Sequence, residues 1–148
     1  MTRRNAKPAT PIVSDTATVR SELSFVFPGN PLPAPRPRLG NGHAHHRPEY
    51  AAQLTSWRVW AQLDMMEQDA EPFPAAARLA VEVVFYRENR RRCDLDNLLK
   101  SALDALTGAA WADDSQVDQI AARVVRGIGK AGACTRLVVR ALDETEVE

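Results

Sequence analysis

Cysteine is nearly absent from this chain: two residues in 148, Cys93 and Cys134, with no CxxC spacing. A disulfide-stapled scaffold and a cysteine-ligated zinc site are therefore excluded as the basis of the fold, and a cytoplasmic setting is expected. No apolar run approaches the roughly 20 residues that a membrane-spanning helix needs. The N-terminus is basic (Arg3, Arg4, Lys7) but no apolar stretch follows it, so no signal peptide is expected. Net charge is missing too, with 19 basic residues set against 19 acidic ones, so the chain is no overall polycation. Lysine occurs at positions 7, 100 and 130, and every other basic side chain is arginine.

What is present is charge segregation. Arg36, Arg38 and Arg47 have no acid between them, and Arg87, Arg90, Arg91 and Arg92 are interrupted by Glu88 alone. From Gln119 to Leu142 there are five basic residues and no acid, while Asp143, Glu144, Glu146 and Glu148 make an acidic end. Arginine forks suit bidentate contacts with phosphate. Solvated strand faces decorated with arginine would give the same local pattern.

Residues 1–20 are polar and aperiodic and are expected to form a disordered arm. A single domain is expected over 21–142, followed by an acidic tail at 143–148. Leu23 to Phe27 has a strand pattern. Residues 28–48 concentrate proline and hold all three histidines, as expected of a long functional loop. His43, His45 and His46 lack regular ligand spacing for zinc, so contact with a ligand or plain solvation is the better expectation there. Pro48 to about Gln68 has helical spacing with proline in its first turn. Leu79 to Tyr86 is the strongest strand, β-branched and aromatic. Asp94 to Leu106 is a second helix, with leucine and alanine in one stripe and Gly108 beyond its end. Ile120 to Ile128 and Thr135 to Leu142 are expected to pair as a hairpin around Gly129-Lys130-Ala131-Gly132. The order predicts an α/β domain: a mixed sheet of about four strands with two main helices. Trp57, Trp60, Met65, Met66 and Trp111 are candidates for a subunit interface, with core packing the expected fate of most.

The chemistry concentrates between Arg90 and Asp114. Asp94 stands where the second helix begins, with Asp96 in its first turn. Lys100 follows Asp96 by four residues and Asp104 follows Lys100 by four, a polar stripe away from the leucine face. Carboxylate oxygens are what hard divalent cations such as Mg²⁺ prefer. A cation so held can polarise a phosphoryl oxygen and activate water, and a lysine beside it can offset charge on the phosphate. Two other accounts of these residues remain open from spacing alone. Asp94 can be a plain helix cap, and Asp96, Lys100 and Asp104 a surface ion-pair ladder.

The run RRRCDLDNLLKSALDALTGAAWADDSQV, Arg90 to Val117, resembles the core motif of the RusA family of Holliday junction resolvases. The pattern is an arginine-rich stretch, D-x-D-N-x-x-K, a helix, and D-D-x-x-V. LSFVFPGNPLPAPRPR is similar to the opening of the phage-borne branch, so the resemblance extends more loosely over residues 21–142. It implies a RusA-like α/β fold and a homodimeric, Mg²⁺- or Mn²⁺-dependent endonuclease that nicks four-way DNA junctions in recombination and repair. It implies that Asp94, Asp96 and Asp114 are the metal carboxylates and Lys100 the catalytic lysine. Arg36, Arg38, Arg90, Arg91 and Arg92 would then hold the DNA. A two-fold junction suits a two-fold dimer with two matched sites. Cys93 departs from the pattern, because a further basic residue is usual there. The alternatives are a junction-binding protein that does not cut, and a nuclease for another branched substrate.

Overall fold

The computed structural model describes residues 21–35 and 48–147. The expected N-terminal arm, and Arg36, Arg38 and the three histidines of the long loop, lie outside the described residues.

Four strands and two long helices follow in the expected order: β1 (Glu22–Pro28), α1 (Pro48–Glu67), β2 (Leu79–Tyr86), α2 (Leu95–Leu106), β3 (Val117–Val125) and β4 (Cys134–Ala141). A short helix, α3 (Glu144–Val147), closes the described chain. β1 alternates strictly, with Leu23, Phe25 and Phe27 buried and their neighbours exposed, because one face of the sheet is covered and the other is not. β2 buries Val81, Val83 and Phe85 on that same covered face. α1 contributes Tyr50, Trp57, Ala61 and Met65 at helical spacing, and α2 contributes Leu98, Ala102, Ala105 and Leu106. The rings of Trp57 and Phe27 meet with centroids 5.1 Å apart, locking α1 to the sheet.

The strand order is β1-β4-β2-β3, which corrects the hairpin expectation. β3 and β4 are not neighbours. β2 lies between them, antiparallel to β4 and parallel to β3. The physical reason is α2: a helix returning along the sheet after β2 makes the next strand enter parallel, as in any βαβ unit. Gly129 to Gly132 is then a crossing between strands that flank β2. It contains a short 3₁₀ turn, Lys130–Gly132, entered by Gly129 at φ 89°.

The β1 edge of the sheet is closed by side chains. The outward N–H groups of Ser24 and Val26 on β1 are taken by Gln68 Oε1, just beyond α1, at 2.9 Å and by Asp64 Oδ2, on α1, at 3.0 Å. Burial raises the Asp64 carboxyl above its usual range, with the bond from Val26 N–H opposing the shift. Of the interface candidates, Trp57, Met65 and Trp111 are core residues. Trp60 is exposed and Met66 is 74% exposed, on an outer ridge of α1 with Val59 and Leu63. No described helix is long and apolar enough to cross a membrane. At the acidic end, Glu146 turns back to pair with Arg140 at 2.9 Å.

Candidate active site

α2 carries the motif, and its N-terminal end opens beside an arginine segment held by backbone bonds. Arg87 N–H donates to Val125 O at 2.8 Å, and Glu88 N–H to the Asn30 side chain at 2.8 Å. In return Gly127, Ile128 and Gly129 donate to the carbonyls of Asn89, Arg87 and Glu88, each at 3.0 Å. Gly127 sits at φ +75°, and a Cβ there would lie 3.2 Å from Arg90 Nε. The Arg90 side chain therefore lies against bare glycine backbone. Arg90, Arg91 and Arg92 are all exposed.

Asp94 is the N-cap residue of α2, but its side chain makes no capping bond. Its carbonyl instead accepts from Asn97 and Leu98 N–H, and its carboxylate accepts from Asn97 Nδ2 at 3.4 Å. Asp96 is exposed in the first turn. Lys100 pairs with Asp104, Nζ to Oδ2 at 3.3 Å. An exposed i,i+4 pair of this kind contributes only tenths of a kcal/mol, about 0.3–0.5. The lysine is thus lightly held and can exchange partners.

Asp114 belongs to the other end of α2. Its Oδ1 receives a hydrogen bond from Trp111 Nε1 at 3.1 Å and lies within hydrogen-bonding distance of the Thr107 hydroxyl, next to the last turn of the helix. Trp111 is 1% exposed, so its indole N–H has a fixed direction. The loop is fastened from behind by Gln116. Its Oε1 accepts from Ala112 and Asp113 N–H at 3.1 and 3.2 Å, and its Nε2 donates to Pro74 and Ala77 carbonyls at 2.9 and 3.2 Å. Asp113 does cap duty, its carboxylate accepting from Ser115 N–H at 2.9 Å. Arg78 ties the same loop to the start of β2 through Asp118 and the Ser115 carbonyl.

The twelve residues of α2 therefore separate the expected carboxylates. At about 1.5 Å per residue the helix is roughly 18 Å long, with Asp94 and Asp96 at its start and Asp114 at its end. Two carboxylates on one Mg²⁺ must lie within about 4 Å of each other, since each oxygen sits about 2 Å from the ion. Among the described residues no three acidic, histidine or cysteine side chains come together to hold a metal. One chain brings Asp94 beside Asp96 but does not bring Asp114 to them, so it does not by itself fit a three-carboxylate metal.

Sequence reasoning missed Gln116, Trp111 and Thr107 as the residues that aim Asp114. The signal for Gln116 was present: Asp113-x-x-Gln116 is a capping-box spacing.

Residues 28–140 match the family model described as "Endodeoxyribonuclease RusA". The chain is similar to the crossover junction endodeoxyribonuclease rusA of Enterobacteria phage HK97, at 46% identity over 57 residues, 38% of this chain and 46% of that protein. It is also similar to the crossover junction endodeoxyribonuclease RusA of Escherichia coli (strain K12), at 49% identity over 43 residues, 28% of this chain and 36% of that protein. The aligned stretches thus span less than half the length of these relatives.

Proposed function

This chain belongs to the RusA family of endodeoxyribonucleases, and we propose that it is a homodimeric nuclease that resolves four-way DNA junctions by paired, symmetrical nicks in the cytoplasm. The observation that carries the reading is the placement of D-x-D-N-x-x-K. It lies on an exposed helix start, immediately after an exposed arginine run that continues from a segment, residues 87–89, held by backbone bonds.

Each group has a part in this reading. Arg90, Arg91 and Arg92 grip the phosphate backbone, with Arg36 and Arg38 assigned to the same task from sequence. Lys100, freed from Asp104, offsets the charge that builds on the scissile phosphate. Asp94, Asp96 and Asp114 supply oxygens of the kind that Mg²⁺ or Mn²⁺ prefers, and such an ion, when bound, supplies Lewis acidity. The distance along α2 supports the dimer. A two-fold pair reverses the direction of α2 between copies, so the Asp94/Asp96 end of one chain can face the Asp114 end of the other. Two identical sites would then be assembled from two chains, one for each nick.

The test is a cleavage assay on a synthetic four-way junction and on linear duplex, with and without Mg²⁺. Paired nicks confined to the junction and dependent on the ion are expected, and Asp96→Asn should abolish them while leaving junction binding intact. Binding without any product in the wild-type chain would replace this reading by that of a non-cutting junction binder. Faster cutting of flaps than of four-way junctions would reassign the substrate.

A further inference from the structure

Two buried polar side chains at the same end of the sheet carry polar atoms that meet no partner. Arg87 is 6% exposed, and its Nε and Nη1 atoms have no hydrogen-bond partner. Thr135 is 0% exposed, and its Oγ1 has none either. Among the described residues these are the only buried side-chain nitrogen or oxygen atoms so placed. A guanidinium keeps its charge at every physiological pH. Burying it without an acceptor is among the costlier arrangements a core can hold.

The sheet register puts the two side by side. Phe85 pairs with Thr135 and Tyr86 with Cys134, so Arg87 stands one place beyond, on the buried face that Phe85 and Thr135 share. Diagonal neighbours of this kind lie about 7–8 Å apart, a gap an arginine side chain spans. The backbone of Arg87 cannot swing away, being bonded to Val125 on one side and Ile128 on the other. The same end of the sheet receives the start of α2, where Ala34 N–H donates to the Asn97 carbonyl at 3.0 Å.

A charged fork and a hydroxyl offer donors only to an incoming group if the hydroxyl turns its proton outward. The matching ligand is an oxyanion. We infer that Arg87 and Thr135 form a binding pocket for a phosphate-type oxyanion at the end of the sheet from which Asp94 and Asp96 emerge. The small residual exposure of Arg87 marks its mouth. The ligand has two possible sources of one chemistry, a phosphodiester of the DNA and free inorganic phosphate. Only the first source rests on the nuclease reading.

The experiment is a thermal-shift titration in EDTA with inorganic phosphate alone, followed by junction-binding measurements in EDTA. Phosphate is expected to raise the wild-type Tm saturably, by a few degrees at about ten times its Kd. Arg87→Met should lose that response while its ligand-free Tm stays at or above the wild-type value, since an unsatisfied buried charge has gone. Thr135→Val, which keeps shape and loses only the hydroxyl, should show a weakened response with no loss of Tm. If Arg87→Met also raises the junction Kd about tenfold, the worth of one charge-assisted contact, the DNA backbone is the source. An unchanged junction Kd assigns the pocket to the free anion. The inference is overturned if phosphate gives no saturable shift, or if both variants respond like wild type. It is equally overturned if Arg87→Met loses many degrees of Tm while Thr135→Val keeps the full phosphate response, because Arg87 is then structural. None of these readouts involves cleavage, so a failure of the nuclease reading, seen with Asp96→Asn, is distinguishable.

Discussion

Mixing a chain that carries Asp96→Asn with one that carries Asp114→Asn distinguishes a site built from two chains from a site built within one. In the proposed homodimer each variant alone damages both sites and is expected to be inactive. In a mixed dimer with shared sites, both substitutions fall into the same site, because Asp96 of one copy faces Asp114 of the other. The second site then receives Asp94 and Asp96 from the Asp114→Asn chain and Asp114 from the Asp96→Asn chain, all unaltered. Random assembly of equal amounts makes about half the dimers mixed, each with one good site of two, so about a quarter of the wild-type number of sites returns. The structural basis is the roughly 18 Å length of α2 against the roughly 4 Å that a shared Mg²⁺ permits. The assay is junction cleavage after co-refolding, resolved on a denaturing gel, and the recovered product should be single nicks rather than paired ones. A mixture as dead as its parents, with dimer exchange verified, would refute the reasoning. Asp94→Asn mixed with Asp96→Asn is the control, and it should rescue nothing, since both changes strike the same helix end.

Other outcomes follow from the loops. Gln116→Ala removes four part-buried hydrogen bonds, to Ala112, Asp113, Pro74 and Ala77, and should cost about 3 kcal/mol in a urea melt. An unchanged midpoint would mean that water replaces the amide. Gly127→Ala forces a left-handed residue with a Cβ against Arg90 and should cost about 1–2 kcal/mol, with weaker DNA binding, by melt and filter binding. The Arg78 guanidinium beside Asp118 holds that carboxyl below its usual range. A folded value below the unfolded one means stabilisation present above the ordinary carboxylate pKa and lost as pH falls through the folded value. Wild type and Asp118→Asn should therefore differ in stability at neutral pH and converge in acid. Asp64 shifts the opposite way, so its contribution is present at low pH and fades as pH rises through its folded value; Asp64→Asn should flatten that limb of the stability profile.

Much of this was legible in the chain. Alternation in β1 and the β-branched run of β2 follow from one covered sheet face, and the leucine stripe of α2 from the same core. The pairing of β3 was misread because a glycine-rich tetrapeptide between two strands is a strong local signal, while the crossover that decides the matter is a property of three elements. The separation of Asp96 from Asp114 could have been counted, since most of the residues between them are helical. The isolation of Arg87 could not. In sequence it is one arginine of a cluster, and only the continued β2 alternation turns it inward while Arg90 to Arg92 face solvent.

The glycine segment that braces residues 87–89 has a thermodynamic consequence. Fixing a residue's backbone costs about 1–2 kcal/mol in conformational entropy, and here that term falls on folding rather than on encounter with a ligand. Arg90 to Arg92 continue directly from this anchored segment, so fewer backbone states remain to be lost when they meet a stiff polyanion. Loosening the brace while keeping every arginine should therefore weaken binding through a less favourable association entropy, with the salt dependence, set by the number of phosphates touched, left as it was.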